Sequence, residues 1–233
     1  MQLKSKRAVI TGASRGMGKA IATALLEKGA IVYGLSRNST GMEELKLRWN
    51  ECFFPVQLDI SDEQNVRKWV AETFSEQKLP DILINNAGVG YFGKIDTLPS
   101  EKWHQMINTN LNGVMYLTAA LVPLMKCSED YSHIINIGSI LGKVSGAEKS
   151  AYSATKFALQ GFSEALFKEL RSERIKVSCI NPGSIGTTFF KDSGIQASEG
   201  MLKPRQMADI ITFVLETPDN ILIDEMSIRP LMP

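Results

Sequence analysis

Tyr152 and Lys156 stand four residues apart in a stretch whose apolar spacing predicts a helix over about 150–173. Residues four apart on a helix share a face. An ammonium beside a phenol favours phenolate, so Lys156 is expected to lower the tyrosine pKa from its ordinary value near ~10. Such a tyrosine can give a proton to a carbonyl, or take one from an alcohol, near neutral pH. Ser139 follows a β-branched run in Ile137-Gly138-Ser139, and its hydroxyl could hold the same oxygen. Asn110 sits in Asn108-Thr109-Asn110-Leu111-Asn112-Gly113, a run of poor helix formers inside an otherwise helical stretch. A local break is expected there, with a side chain or water filling the gap in the backbone hydrogen bonding.

A second pattern concerns phosphate. The strand-like run RAVIT passes straight into Thr11-Gly12-Ala13-Ser14-Arg15-Gly16-Met17-Gly18. A glycine-rich turn between a first strand and its helix brings backbone N–H groups and a helix N-terminus close to a pyrophosphate. An NAD site usually shows an acid about 20 residues on, at the end of the second strand, for the ribose hydroxyls. This strand ends instead in Leu35-Ser36-Arg37-Asn38. A guanidinium suits a 2′-phosphate, and Arg15 could reach the same group. NADP(H) is therefore expected in preference to NAD(H), with NAD(H) use possible.

These residues need elements to position them. Strand patterns fall at 7–11, 31–35, 53–58, 81–85, 133–137, 175–180 and 221–228. Helical patterns fall between them at 16–28, 41–49, 62–77, 100–125, 150–173 and 204–216, with Ser61 the expected N-cap of the third. This alternation predicts an α/β fold, a Rossmann-like, doubly wound, seven-stranded parallel sheet with helices on both faces. Its ligand site would lie at the carboxyl ends of the strands. No linker divides the chain, so residues 1–233 are expected to form one nucleotide-binding domain. The irregular stretch 182–203 follows the sixth strand and is expected to act as a substrate lid, with Phe189, Phe190, Ile195, Met201 and Leu202 offering an apolar wall.

Composition narrows the rest. The 233 residues are 44% hydrophobic and 22% charged, with a net charge of +1, which suits a globular protein with a sizeable core. That charge balance gives no basic field for nucleic acid. No apolar run is long enough to span a bilayer. The N-terminal MQLKSKRAVITG lacks the pattern of a secretion signal. Cys52, Cys127 and Cys179 form no CxxC pair, and His104 and His133 are the only histidines, so no metal site is expected. The expected setting is cytoplasmic. Lys143, Lys149 and Lys191 are expected to be solvated, and both histidines structural.

Taken in order, the motifs resemble the short-chain dehydrogenase/reductase family, in its compact, NADP-preferring branch. They are TGASRGMG at 11–18, LDI at 58–60, NNAG at 85–88, the Asn110 helix, Ser139, YSATK at 152–156 and NPGSIGT at 181–187. The resemblance implies a catalytic tetrad of Asn110, Ser139, Tyr152 and Lys156. It implies cofactor contacts from Gly12, Ser14, Arg15, Gly16, Met17, Gly18, Ser36 and Arg37. Asp59 and Ile60 would lie near the adenine. Asn85, Asn86, Ala87 and Gly88 would line the adenosine side. Pro182, Gly183, Ile185 and Thr187 would meet the nicotinamide and diphosphate, and Tyr152 and Lys156 the nicotinamide ribose. Asn110 is implied to hold a water that connects Lys156 to solvent. A homodimer or homotetramer through helices 100–125 and 150–173 is also implied.

The implied activity is interconversion of a carbonyl and an alcohol on a small molecule. The tail 220–233 lacks the glycine-rich ending of the fatty-acid-synthesis reductases. It is similar to members acting on small aldehydes, ketones or 3-hydroxy acids, and it weighs against a 3-oxoacyl thioester without excluding one. Two other readings share these residues: a non-catalytic NAD(P)-binding sensor or scaffold, and a sugar-nucleotide epimerase or dehydratase, for whose added substrate domain the chain has no room.

Overall fold

The structure is a computed structural model that describes residues 1–187, 189 and 200–231. Phe190, Lys191 and Ile195 of the expected lid lie outside the described residues, as do Met232 and Pro233. Seven strands form one parallel sheet: β1 (Arg7–Thr11), β2 (Ile31–Ser36), β3 (Phe53–Gln57), β4 (Ile82–Asn85), β5 (Ser132–Ile137), β6 (Ile175–Pro182) and β7 (Glu225–Ile228). Their order is β3-β2-β1-β4-β5-β6-β7. The winding reverses between β1 and β4, and at such a switch point the carboxyl ends of the strands open a crevice.

The side-chain period of two explains the layers. Along β1, Ile10 faces one side with Val32, Ile84, Ile135 and Ile180, while Val9 faces the other with Leu35, Leu83, Ile134 and Val177. The first face is covered by α1 (Gly16–Glu27), α2 (Glu43–Arg48) and α7 (Pro204–Leu215), through Ile21, Leu25, Leu45, Ile211 and Val214. On the second face pack α3 (Glu63–Thr73), α5 (Gly113–Met125) and α6 (Ser150–Leu170), through Val66, Val70, Leu117, Leu121, Leu166 and Leu170. α4 (Ser100–Ile107) leads into α5. Strands apolar on both faces are what a doubly covered parallel sheet requires.

Three boundaries differ from the sequence reading for a local reason. Asp62, not Ser61, caps α3 by accepting the Asn65 N–H at 3.0 Å, because Ser61 is turned back onto Asp59. α3 ends at Thr73, where Phe74 leaves the helix to pack its ring against Tyr33 and Trp69. Residues 221–224 do not join β7. The Ile221 and Ile223 carbonyls are taken by Lys176 Nζ and Ser178 Oγ, at 2.7 and 2.6 Å, instead of by a ladder. The break expected in the helix over 100–125 is present as a π-helical turn, Asn108–Asn112.

His133 is buried in β5, with Nε2 2.8 Å from Ser178 Oγ. Burial pushes its pKa down to about 3, so it is held neutral inside the sheet.

Candidate active site

The turn after β1 has the form an anion needs. Gly12 and Gly16 take φ of +70° and +55°, in the left-handed region that favours glycine. A Cβ on Gly18 would collide with the Gly12 carbonyl, so α1 starts hard against the turn. Arg15 precedes α1 in extended backbone and makes no side-chain cap, which leaves the first N–H groups of α1 open to a ligand. Ser36 Oγ donates to Ser14 Oγ at 2.9 Å, tying the end of β2 to the turn. Arg15 and Arg37 are exposed beside the cleft, and neither has an ion-pair partner among the described residues. This cradle of open N–H groups with two uncommitted guanidinium groups fits a nicotinamide dinucleotide.

The next strands complete that wall. Asp59 and Ile60 follow β3, and Asp59 Oδ1 accepts the N–H and hydroxyl of Ser61. After β4, the backbone N–H groups of Asn86 and Ala87 both donate to Thr11 Oγ1, at 2.9 and 2.8 Å, and Asn86 Nδ2 donates to the Thr11 carbonyl at 2.8 Å. Asn86, Ala87 and Gly88 thereby line the cleft. Asn85, expected beside them, does not. As the last residue of β4 it faces the sheet interior, and Nδ2 donates to Asn136 Oδ1 and Thr118 Oγ1 at 2.8 and 3.2 Å.

The four residues expected to do chemistry converge at the carboxyl ends of β4 and β5. Ser139 follows β5, and its Oγ accepts the Leu141 N–H at 3.1 Å. Tyr152 and Lys156 sit in the first turns of α6. Both are buried, and the Lys156 Nζ lies 5.9 Å from the Tyr152 ring centroid and donates to the Ile137 carbonyl at 2.8 Å. Asn110, fully buried in the π-turn, does not reach the cleft wall. Its Oδ1 accepts the Val89 N–H at 2.8 Å, and its Nδ2 donates to the Val89 carbonyl and to Thr155 Oγ1 at 2.9 and 3.2 Å. The side chain thus reaches off the broken helix, not back to its freed backbone groups, and clamps the chain that leaves β4. A Cβ on Gly88 would lie 3.4 Å from Asn110 Oδ1 and 3.9 Å from Lys156 Nζ, so the two groups border one small space.

The electrostatics differ from expectation at one point. Burial pushes the Tyr152 phenol up to about 12, and a hydrogen bond with Ser139 only partly opposes it. Burial likewise pushes Lys156 down to about 8. The lysine was expected to acidify the phenol, but burial raises the phenol and only the Ser139 hydrogen bond works against it.

The cleft holds about 350 Å³ and, Asn85 apart, is lined by the expected cofactor residues from Gly12 to Thr187. Sequence reasoning missed Phe92, Leu141 and Lys149 in its wall. Phe92 and Phe189 pack edge-on to Tyr152, at centroid distances of 5.4 and 6.1 Å. No signal in the sequence marks Phe92, which lies on an irregular segment. Lys149, expected to be solvated, borders the cleft while half-buried, and Lys143 is paired with Glu225. Of the lid residues, Ile185 and Leu202 form an isolated parallel bridge. Among the described residues no cluster of His, Cys, Asp or Glu could hold a metal, and no helix is long and apolar enough to cross a membrane.

A glycine cradle at one end of a crevice and a Ser–Tyr–Lys cluster at the other define a nicotinamide-dependent oxidoreductase. The short chain dehydrogenase family model matches residues 6–197, and the chain belongs to that family. It is 34% identical to dehydrogenase/reductase SDR family member 11 of Bos taurus, over 97% of this chain and 96% of that one. Its fold is similar to a serine dehydrogenase complexed with NADP+, with a TM-score of 0.88 and 29% identity over 95% and 93% of the two chains. It is equally similar to a 3-ketoacyl-(acyl-carrier-protein) reductase from Brucella melitensis complexed with NADH, with a TM-score of 0.88 and 27% identity over 98% of each chain.

Proposed function

We propose that the protein is an NADPH-dependent reductase that interconverts a small ketone or aldehyde with its alcohol. The observation that carries this reading is one cleft with two free arginines at its phosphate end and Ser139, Tyr152 and Lys156 together at the other. The bound nicotinamide supplies the hydride. Ser139 Oγ and Tyr152 Oη hold the carbonyl oxygen between them. With its pKa near 12, Tyr152 is protonated at neutral pH and can donate that proton to the oxygen. Lys156 holds a cation close to the phenol and offers ribose hydroxyls a donor. Asn110 fixes the Val89 backbone, and a water beside Gly88 would link it to Lys156 and return a proton to Tyr152. Arg15 and Arg37 grip the 2′-phosphate, which distinguishes NADPH from NADH.

Phe92 and Phe189 beside Tyr152 support a substrate with an apolar substituent next to the carbonyl. The serine dehydrogenase likeness supports a 3-hydroxy acid, and the reductase likeness a 3-oxoacyl thioester, so both belong in the test. The partly exposed Met115 of α5 and Phe157 of α6 support assembly of copies through those helices. NADPH oxidation by the purified protein over small aldehydes, ketones, 3-oxo acids and a 3-oxoacyl thioester tests the reading, with NADH alongside. Turnover with NADPH is expected. Tight NADPH binding without turnover across the panel would replace it with a nucleotide sensor.

A further inference from the structure

Ser139 is not held by the cleft alone. Its N–H donates to Asn181 Oδ1 at 3.2 Å, a contact that only a glycine at 138 admits, since a Cβ there would collide with the same oxygen. Asn181 is fully buried near the end of β6. Its Nδ2 donates to Gln160 Oε1 of α6 at 3.0 Å and to Glu225 Oε1 of β7 at 3.4 Å. Gln160 Nε2 donates to Glu225 Oε2 at 2.9 Å. Lys143 ends the short turn Ile140–Gly142 that Ser139 begins, and it is ion-paired with Glu225. Residues 139–143 are therefore tied at both ends to one carboxylate on the last strand. Asn181, Gln160, Glu225 and Lys143 all lie outside the cleft wall.

The direction of the network follows from donor and acceptor counts. A carboxylate only accepts, so both amide NH₂ groups turn toward Glu225. Each amide then presents its oxygen the other way: Gln160 toward Asn181, and Asn181 toward the Ser139 N–H. A flipped Asn181 would set NH₂ against N–H and leave two buried donors unpaired, which is costly. Leu141 N–H meanwhile occupies an acceptor site on Ser139 Oγ and leaves the hydroxyl proton for the cleft.

We propose that Glu225, acting through Asn181 and Gln160, is a positioning residue for Ser139, so that the last strand sets the aim of the hydroxyl that holds the substrate oxygen. The proposal rests on the role given to Ser139 above. Glu225→Gln keeps the shape but puts an NH₂ where an acceptor is needed. With NADPH and the best carbonyl of the panel, it should lower kcat about tenfold, the worth of one charge-assisted hydrogen bond, and Glu225→Asp should recover part of the loss. NADPH affinity should change less than about twofold, because Glu225 does not border the cleft.

The decisive readout is a double-mutant cycle in the full chain. In a Ser139→Ala background, Glu225→Gln should cost nothing further. Full kcat in folded Glu225→Gln, or an equal loss in both backgrounds, overturns the proposal. Full kcat in Ser139→Ala alone overturns the role of Ser139, and this inference with it, and is told apart by that single variant. Where Glu225→Gln does not fold, Asn181→Ala takes its place in the cycle with the same expected outcomes.

Discussion

The two ends of the cleft treat charge in opposite ways. At the phosphate end, Arg15, Arg37 and Asp59 are exposed, and the two arginines stand uncommitted. At the reaction end, Asn110, Ser139, Tyr152 and Lys156 are each at most 8% exposed, and all have hydrogen-bond partners. Exposed guanidinium groups can select an anionic ligand by attraction. Buried groups have their proton affinities moved by desolvation, here Tyr152 to about 12 and Lys156 to about 8. A charge that must choose a cofactor can stay in water, while a charge that must take part in proton transfer is taken out of it.

The largest effect should come from the buried end. Tyr152→Phe removes the proton donor but keeps the ring between Phe92 and Phe189. It should lower kcat by about 10²–10⁴, the usual worth of a general acid, with NADPH affinity little changed. Steady-state kinetics beside a binding titration measure both, and an unchanged kcat would end the assignment of Tyr152. The exposed end should respond in the opposite parameter. Arg15→Ala with Arg37→Ala should weaken NADPH binding about 10- to 100-fold, leave NADH binding nearly as it was, and hardly move kcat at saturating cofactor. The wild-type NADPH dissociation constant should also rise with salt, as exposed charge pairs are screened. Equal losses for the two cofactors would remove the arginines from 2′-phosphate recognition.

Sequence pattern made the phosphate end legible almost residue by residue, because it is built from consecutive chain: a strand, a glycine turn, and the end of the next strand. The five inner strands were legible for the same reason, since apolar runs buried on both faces carry a local signal, whereas the edge strands β3 and β7 are only partly buried. Residues 221–224 misled because side chains from β6, Lys176 and Ser178, take their carbonyls, and nothing local announces that. Asn85 misled because the side-chain period turns it inward while Asn86, one residue on, meets the cleft. At the reaction end the residue types were legible and their proton affinities were not. Those depend on how completely distant elements close over Tyr152 and Lys156. Phe92 and the Asn181–Gln160–Glu225 chain stayed invisible, being contacts between segments far apart in sequence.

The smallest effect separates the two ends by pH alone. Lys156 has a folded-state pKa near 8, lowered by burial from 10.5, so it carries its proton below that pH and loses it above. In the proposed mechanism the charged form is the one that supports proton return to Tyr152. For reduction, kcat should therefore hold steady from pH 6 to 7 and decline as pH rises through about 8, by about tenfold per further unit. The same shift bears on stability with a fixed sign. Because the unfolded chain keeps this proton to a higher pH, burial of Lys156 costs stability below about 8, and the cost fades as pH rises toward its unfolded value. Activity and this contribution to stability should thus run in opposite directions between pH 8 and 10. A kcat profile measured at saturating NADPH, next to melting temperatures at the same pH values, reads both. Lys156 lies at the other end of the cleft from Arg15 and Arg37, so NADPH affinity should not follow the kcat decline. If affinity falls in step with kcat, the group that titrates belongs to the phosphate end, and the division of labour between the two ends fails.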